Sequence, residues 1–217
     1  MTSGPGSISR RAALAGGIAG LALAGLPLPA RPASLMATPA QSEGPFYPVE
    51  LPPDTDWDLL RMAGAAREAL GTVTYVEGRI LDLAGRPVAD ARVEIWQCDA
   101  LGRYRHPGDA RGPADEGFQG FGRVVTAADG AYRFRTLRPV AYPGRTPHIH
   151  FAVSPPGARR FITQMYVAGE ARNERDFLLN SVRDPEARAK LIVALEPAST
   201  EPGALRGRFD IVLPAPA

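Results

Sequence analysis

The densest gathering of reactive side chains is the run Tyr142-Pro143-Gly144-Arg145-Thr146-Pro147-His148-Ile149-His150-Phe151, which holds a phenol, a guanidinium and two of the chain's three histidines. If a strand starts at His148, alternation puts His148 and His150 on one face and Ile149 on the other. Two imidazoles leaning the same way, about 7 Å apart along a strand, can close on one metal ion. Tyr142 precedes them in a proline-flanked turn, where a side chain can be aimed back at the same point. A solvent-facing strand also carries a bare His-x-His by chance. Tyr142, Arg145 and the two prolines that fix the approach set this one apart.

A second phenol, Tyr104, lies in the polar segment Gly102-Arg103-Tyr104-Arg105-His106. A phenol with a pKa of about 10 must lose its proton to ligate, which takes a strongly Lewis-acidic ion. Phenolate oxygens with two imidazoles suit Fe(III) better than Zn(II) or Mg(II). No Asp or Glu lies close in sequence to the histidine pair, which argues against a two-His-one-carboxylate Fe(II) site. Plainer readings stand beside these. Tyr142 can be a turn tyrosine capping the core, Tyr104 a loop surface residue and Arg145 a surface ion-pair partner. His106 can complete a three-His zinc site or be an exposed neighbour. Gln164, polar within Phe161-Ile162-Thr163-Gln164-Met165-Tyr166, is either a backbone-bonded core amide or a group lining the site.

The elements that position these residues read as mainly β. Twenty-three glycines and 22 prolines in 217 residues favour a turn-rich architecture over a helical bundle. Strand patterns cover residues 72–81, 91–98, 122–126, 131–136, 148–154, 161–167 and 208–213. Ala128-Asp129-Gly130 reads as a hairpin turn joining the third and fourth of these. Val93, Ile95 and Gln97 share one face of their strand, with Glu94, Trp96 and Cys98 on the other. Residues 99–117 form a long polar loop, and loops of that length in compact domains carry function or are disordered. One helix is well signalled, with Asp184 as N-cap and Pro185 at its first position, running to about Leu195. Trp57, Leu60, Met62 and Leu70 make only a loose helical stripe. Many short strands with Gly/Pro turns predict a β-sandwich with an N-terminal arm and one or two short helices.

A net charge of +2 without a basic stripe excludes nucleic acid as an expected partner. The single cysteine, Cys98, excludes an internal disulfide and a thiolate metal cluster, and reads as a small buried hydrophobe. Residues 1–37 read as an export leader: Arg10 and Arg11 precede the small, apolar run 12–28, too short and too Gly/Ala-rich for a membrane anchor. The pattern is similar to a twin-arginine signal, a route that fits a protein folded around its cofactor before export to the periplasm or beyond. Without Arg10, Arg11 and Arg31 the charge falls from +2 to −1. The expected organisation is thus a leader (1–37), an arm and linker (38–71) carrying Phe46 and Tyr47, and a sandwich domain (72–217).

From Thr38 onward the chain resembles the intradiol ring-cleaving catechol dioxygenases, especially the protocatechuate 3,4-dioxygenase type. The resemblance is carried by Thr38-Pro39-x-Gln41-x-x-Gly44-Pro45-Phe46, Val93-Glu94-Ile95-Trp96-Gln97, the Gly102–His106 run and Gly120-Phe121-Gly122-Arg123. It continues through Asp129-Gly130-x-Tyr132-x-Phe134-Arg135-Thr136, the Tyr142–Phe151 run, Ile162-Thr163-Gln164 and Arg208-Phe209-Asp210-Ile211-Val212-Leu213. It implies a β-sandwich with a mononuclear Fe(III) held by Tyr104, Tyr142, His148 and His150. Arg145 is implied to stabilise negative charge building on the bound ring, Gln164 to be a polar residue near the substrate that takes part in catalysis and binding, and Tyr47 is expected to contact substrate. The implied reaction takes a catechol and O₂. The catechol displaces one tyrosinate, which picks up a proton, and the ring opens between its hydroxyl-bearing carbons to a cis,cis-muconate-type diacid.

One departure is informative: only Pro143 and Gly144 separate Tyr142 from Arg145, where the family's best-known enzymes carry a longer loop with a bulky aromatic. A more open pocket follows, with protocatechuate itself not the expected substrate. The arm resembles a segment that relatives built from two chain types take from the partner chain, so here a self-sufficient chain is implied, with a homo-oligomer as one assembly. Two other classes compete, a non-enzymatic transthyretin-like β-sandwich binding module and a zinc site built from His106, His148 and His150.

Overall fold

Branched and aromatic residues at alternating positions build two sheets whose facing sides close on one core. The computed structural model describes residues 1, 4, 34–52 and 54–215. The paired arginines and apolar run of the expected leader lie outside them. Within the unit Pro32–Ala217, the strands are β1 (Val73–Leu81), β2 (Arg92–Trp96), β3 (Phe121–Val125), β4 (Ala131–Leu137), β5 (His148–Ser154) and β6 (Phe161–Val167). A 3-10 turn (Ala171–Arg175) and two short helices, α1 (Phe177–Ser181) and α2 (Pro185–Ala189), follow. Four short strands complete the chain: β7 (Ile192–Val193), β8 (Glu196–Pro197), β9 (Leu205–Arg208) and β10 (Ile211–Val212).

In one sheet β1 pairs with β4 on one side and with β9 and β10 on the other, while β8 extends β9. The second sheet has the order β3-β2-β5-β6-β7. Val93, Ile95, Ile149, Phe151 and Met165 of the second sheet pack on Val76, Ile80 and Phe134 of the first. The expected mainly-β sandwich with short helices is what the chain forms. No helix among the described residues is long and apolar enough to cross a membrane.

The second sheet is buried on its outer face as well. There Trp96, Cys98, Tyr104, Phe121 and Ala152 form a separate cluster, covered by Phe46, Tyr47 and Tyr142. Cys98 lies inside it, and burial pushes its thiol up to about 12. The arm is docked rather than loose. The Thr38 N–H donates to the Val212 carbonyl and the Gln41 N–H to the Ile162 carbonyl, each at 2.9 Å. The Thr163 hydroxyl donates to the Pro39 carbonyl at 2.8 Å.

Four local expectations are corrected. The turn at Ala128-Asp129-Gly130 forms, but it is a corner between sheets and not a hairpin. β3 pairs with β2, whereas β4 leaves the turn to pair with β1 along its whole length. The helix after Asp184 stops at Ala189 instead of Leu195, because Ile192 and Val193 pair with Tyr166 and Val167. The expected strand 208–213 is broken: Phe209 buries its ring, and the Asp210 carboxylate takes the Arg79 N–H at 2.8 Å. Residues 54–70 hold no helix. Leu59 and Leu60 are buried by turns pinned through Asp58, which ion-pairs with Arg135 at 3.0 Å.

Candidate active site

Strand β5 does what its alternation predicts. Ile149, Phe151 and Val153 enter the sandwich core, while His148 and His150 project from the opposite face into the second cluster, both almost fully buried. Cross-strand register sets their neighbours. His150 lies between Trp96 on β2 and Gln164 on β6, and His148 beside Tyr166. The two Nε2 atoms come within 3.2 Å of each other. His148 Nδ1 donates to the Thr146 carbonyl at 2.6 Å, which leaves its Nε2 lone pair facing His150. His150 has no second partner at Nδ1. It is held instead by the Trp96 indole, stacked at 4.8 Å and 11°.

Two phenols complete the cluster. Tyr142, Pro143, Gly144 and Arg145 form a tight turn closed by the Arg145 N–H donating to the Tyr142 carbonyl at 2.9 Å. Gly144 has φ of 83°, which this turn requires at its third position. The turn sets Tyr142 Oη 3.5 Å from His148 Nε2 and places Arg145 alongside. Tyr104 comes from the long loop, its ring stacked on Phe46 of the arm at 4.6 Å and edge-on to Tyr142 at 5.7 Å. Its hydroxyl is buried without a hydrogen-bond partner. Gly44 lets the arm pass over the site, since a Cβ there would meet His150 Cε1 at 3.3 Å.

Electrostatics keep all four groups neutral in the absence of a cation. Burial, reinforced by the Arg145 charge, pushes the His148 imidazole down to about 3. Burial, then His148, hold His150 well below its usual range. Burial raises Tyr104 well above the ordinary phenol value and raises Tyr142 too, against the pull of Arg145. Neutral imidazoles are the ligating form. The phenols need a strong Lewis acid to become phenolates.

Behind the donors runs a buried polar chain. Arg145 Nε donates to Asp176 Oδ2 at 2.8 Å, and Arg145 Nη2 donates to Gln164 Oε1 at 2.6 Å. Gln164 in turn donates to the Ser42 carbonyl at 2.8 Å. The Tyr166 hydroxyl donates to Gln41 Oε1 at 2.9 Å and lies 3.3 Å from Arg145 Nη2. Asp176 also accepts from the N–H groups of Thr146, Leu178 and Leu179, so one carboxylate fixes Arg145, the turn before β5 and the start of α1. Burial pushes that carboxyl up, but these hydrogen bonds outweigh it and the group titrates below its usual range. A cavity of about 440 Å³ opens beside Tyr142 and Arg145, lined also by Gly44, Phe46, Arg111 and Phe177. A larger groove of about 670 Å³ around Trp57 and Arg133 contains none of the clustered donors.

A family profile described as Dioxygenase matches residues 42–215. Over 180 residues the chain is 41% identical to a protocatechuate 3,4-dioxygenase beta chain from Burkholderia cepacia, a match covering 78% of this chain and 76% of that one. The chain belongs to the intradiol ring-cleavage dioxygenase family. A hydroxyquinol 1,2-dioxygenase from Corynebacterium glutamicum is 32% identical over 204 residues, which span 82% of this chain but only 64% of that protein. Among solved structures, the dioxygenase domain of a dioxygenase–carbohydrate-binding fusion from Streptomyces sp. SirexAA-E is similar with a TM-score of 0.64 at 31% identity, over 82% of this chain and 98% of that domain.

In this family member the structure brings together Tyr104, Tyr142, His148, His150, Arg145 and Gln164. Tyr47 is placed elsewhere: its ring packs edge-on to Trp96 and Phe121 and its hydroxyl donates to Glu94 Oε2 at 3.2 Å. It supports the stack behind His150 and does not line the cavity. His106 turns away from the histidine pair, its Nδ1 accepting the Gly108 N–H at 3.0 Å and its ring edge-on to Phe46. Asp176, Tyr166, Trp96 and Asp109 are the site-building residues that sequence reasoning missed. The Asp109 carboxylate accepts the Tyr104 N–H at 2.8 Å and pairs with Arg111, whose guanidinium lies 4.8 Å from the centre of the Tyr142 ring. Register gives Trp96 and Tyr166 once the strands are aligned; the aspartates carry no local signal of their targets.

Proposed function

We propose that this chain is a mononuclear Fe(III) intradiol dioxygenase that opens a catechol between its two hydroxyl-bearing carbons with both atoms of O₂. The observation that carries the reading is the convergence of two buried, neutral imidazole nitrogens 3.2 Å apart with the hydroxyl of Tyr142 and the partnerless hydroxyl of Tyr104. His148 Nε2 presents a lone pair to this point, while His150 Nδ1 and the Tyr104 hydroxyl are buried without partners, and an orphaned buried polar atom is costly. A cation bound by all four groups would give the Tyr104 oxygen its missing partner. The donor set of two imidazoles and two phenolates fits Fe(III). His148 has the second hydrogen bond that orients a ligating imidazole.

Fe(III) held there would supply a Lewis acid and a template for the two catechol oxygens. The chain's own residues divide the remaining work. Tyr104, fully enclosed, stays as a fixed donor, while Tyr142, partly exposed at the cavity edge, is placed to swing out and hold at Oη a proton taken from the catechol. Arg145, tethered through Nε and Nη2, lines the cavity with Nη1 outside those bonds, so a preorganised positive charge faces the ring as electron density builds on it. Phe46 and the arm exclude water from Tyr104. The zinc alternative lacks its third ligand. Among the described residues no three His, Cys, Asp or Glu gather at one point, and His106 is occupied by Gly108.

The arm and all four proposed ligands belong to one chain, which supports a self-sufficient catalyst able to work alone or as a homo-oligomer. The paired Arg10 and Arg11 support an exported enzyme. The direct assay is catechol turnover by the iron-loaded protein under isotopically labelled O₂. The expected product is a ring-opened diacid bearing both labelled oxygens. A ring-opened aldehyde, or a diacid without label, would contradict the proposal.

A further inference from the structure

We infer that the site selects a catechol bearing an uncharged, extended apolar substituent over one bearing a ring carboxylate; this rests on the dioxygenase reading above. Three observations carry it. First, the cavity of about 440 Å³ is within the range that encloses ligands well beyond a single dihydroxybenzene ring. Its Tyr142–Arg145 edge is the two-residue turn, and a Cβ on Gly144 would meet no atom within 4 Å beyond its chain neighbours, so the turn itself is open there.

Second, apart from Ser42 and Arg111 the walls beyond Tyr142 and Arg145 carry no polar side chain: Pro45, Phe46, Pro143, Phe177 and Leu178. Phe177 is 65% exposed although it opens α1, and its ring lies 5.6 Å from the Arg145 guanidinium carbon. An exposed phenylalanine on the rim of an active-site cavity is apolar surface that a substituent can cover. Third, both guanidiniums lining the cavity already have a carboxylate partner. Arg145 pairs with Asp176, whose side chain has no exposed surface, and Arg111 pairs with Asp109, whose side chain is 1% exposed. A carboxylate on the ring would have to compete with these two buried carboxylates for the guanidiniums, and would find no unpaired cation in exchange for the water it gave up. A neutral aryl or alkyl group loses nothing of this kind and gains the contact with Phe177.

The test uses the iron-loaded full chain and three probes: 4-phenylcatechol, 3,4-dihydroxyacetophenone and 3,4-dihydroxybenzoate. Anaerobic calorimetry gives dissociation constants, and oxygen uptake gives kcat/KM. The neutral ketone is expected to bind at least about tenfold more tightly than the carboxylate of equal size, and 4-phenylcatechol more tightly than either. Phe177→Ser, a change at an exposed position, is expected to reduce the preference for 4-phenylcatechol over the ketone by about fivefold. Equal or tighter binding of 3,4-dihydroxybenzoate would overturn the inference, as would an unchanged preference in Phe177→Ser. If catechols are still cleaved in those cases, the dioxygenase reading stands and only the substrate class falls. If no catechol is bound or cleaved, both fall.

Discussion

Tyr104→Phe is expected to abolish catechol cleavage while leaving the metal-free protein as stable as the parent or more so. The two effects point in opposite directions because the hydroxyl has no hydrogen-bond partner in the folded chain. Removing an unsatisfied buried hydroxyl recovers part of a penalty of about 1–3 kcal/mol, and the ring keeps its stack on Phe46 at 4.6 Å. The same atom, as a phenolate, is one of four proposed iron ligands. Its loss should therefore reduce activity by at least about 100-fold, since even residues behind a metal's ligands cost 10- to 100-fold when removed. His150→Ala should lose iron as well, and it opens a gap beside Trp96. Metal analysis after dialysis, oxygen uptake with catechol, and chemical unfolding of the metal-free proteins check these outcomes. Full iron stoichiometry with normal turnover in both variants would remove Tyr104 and His150 from the ligand set.

The second large effect concerns Arg145 and its anchor. Arg145→Ala should keep its iron but lower kcat/KM by about 100- to 1000-fold, the loss typical of removing one preorganised charge from a reacting centre. Asp176→Ala should do more than that to the fold. Its carboxylate is shared among Arg145 Nε and three backbone N–H groups, and the Arg145 and Asp176 side chains are 8% and 0% exposed. Breaking a buried pair of this kind costs about 3–5 kcal/mol, because Arg145 keeps its charge without compensation. The Asp176 carboxyl titrates below its usual range in the folded chain. Its contribution is therefore present at neutral pH and is lost as pH falls through the folded value. Paired measurements of iron content, kcat/KM and unfolding free energy separate the two residues. Parallel loss of iron and turnover in Arg145→Ala would make that arginine a structural residue.

Much of this site could be read before the fold was known, because strand alternation is a local property. The His148-x-His150 spacing fixes a common face, and the Pro143-Gly144 turn fixes Tyr142 beside Arg145. What could not be read are the contacts that cross elements. Asp176 lies 31 residues from Arg145 in sequence and holds it only because the start of α1 lies against the segment that leads into β5. Asp109 reaches Tyr104 directly and Tyr142 only through Arg111, from a loop whose path is set by carboxylates accepting backbone N–H groups, not by a periodic pattern. The same limit explains the corner at 128–130. A turn signal reports that the chain reverses, not which sheet the second strand joins, and β4 joins β1 because Tyr132 and Phe134 complete the core there. Likewise the end of α2 was set by parallel pairing of Ile192 and Val193 with β6, which no helix propensity reports. Tyr47 shows the converse: an aromatic next to the arm's site residue, Phe46, turns to the back of the Trp96 stack and not to the cavity.

The visible absorption spectrum of the iron-loaded protein, recorded before and after catechol is added without oxygen, tests the ligand set most directly. Two phenolates on Fe(III) predict a red-brown charge-transfer band that moves to longer wavelength when catechol binds through both oxygens. Tyr104→Phe should remove the band or weaken it strongly. A protein that binds iron stoichiometrically yet stays colourless, with or without catechol, would contradict the tyrosinate-iron centre on which the proposed reaction depends.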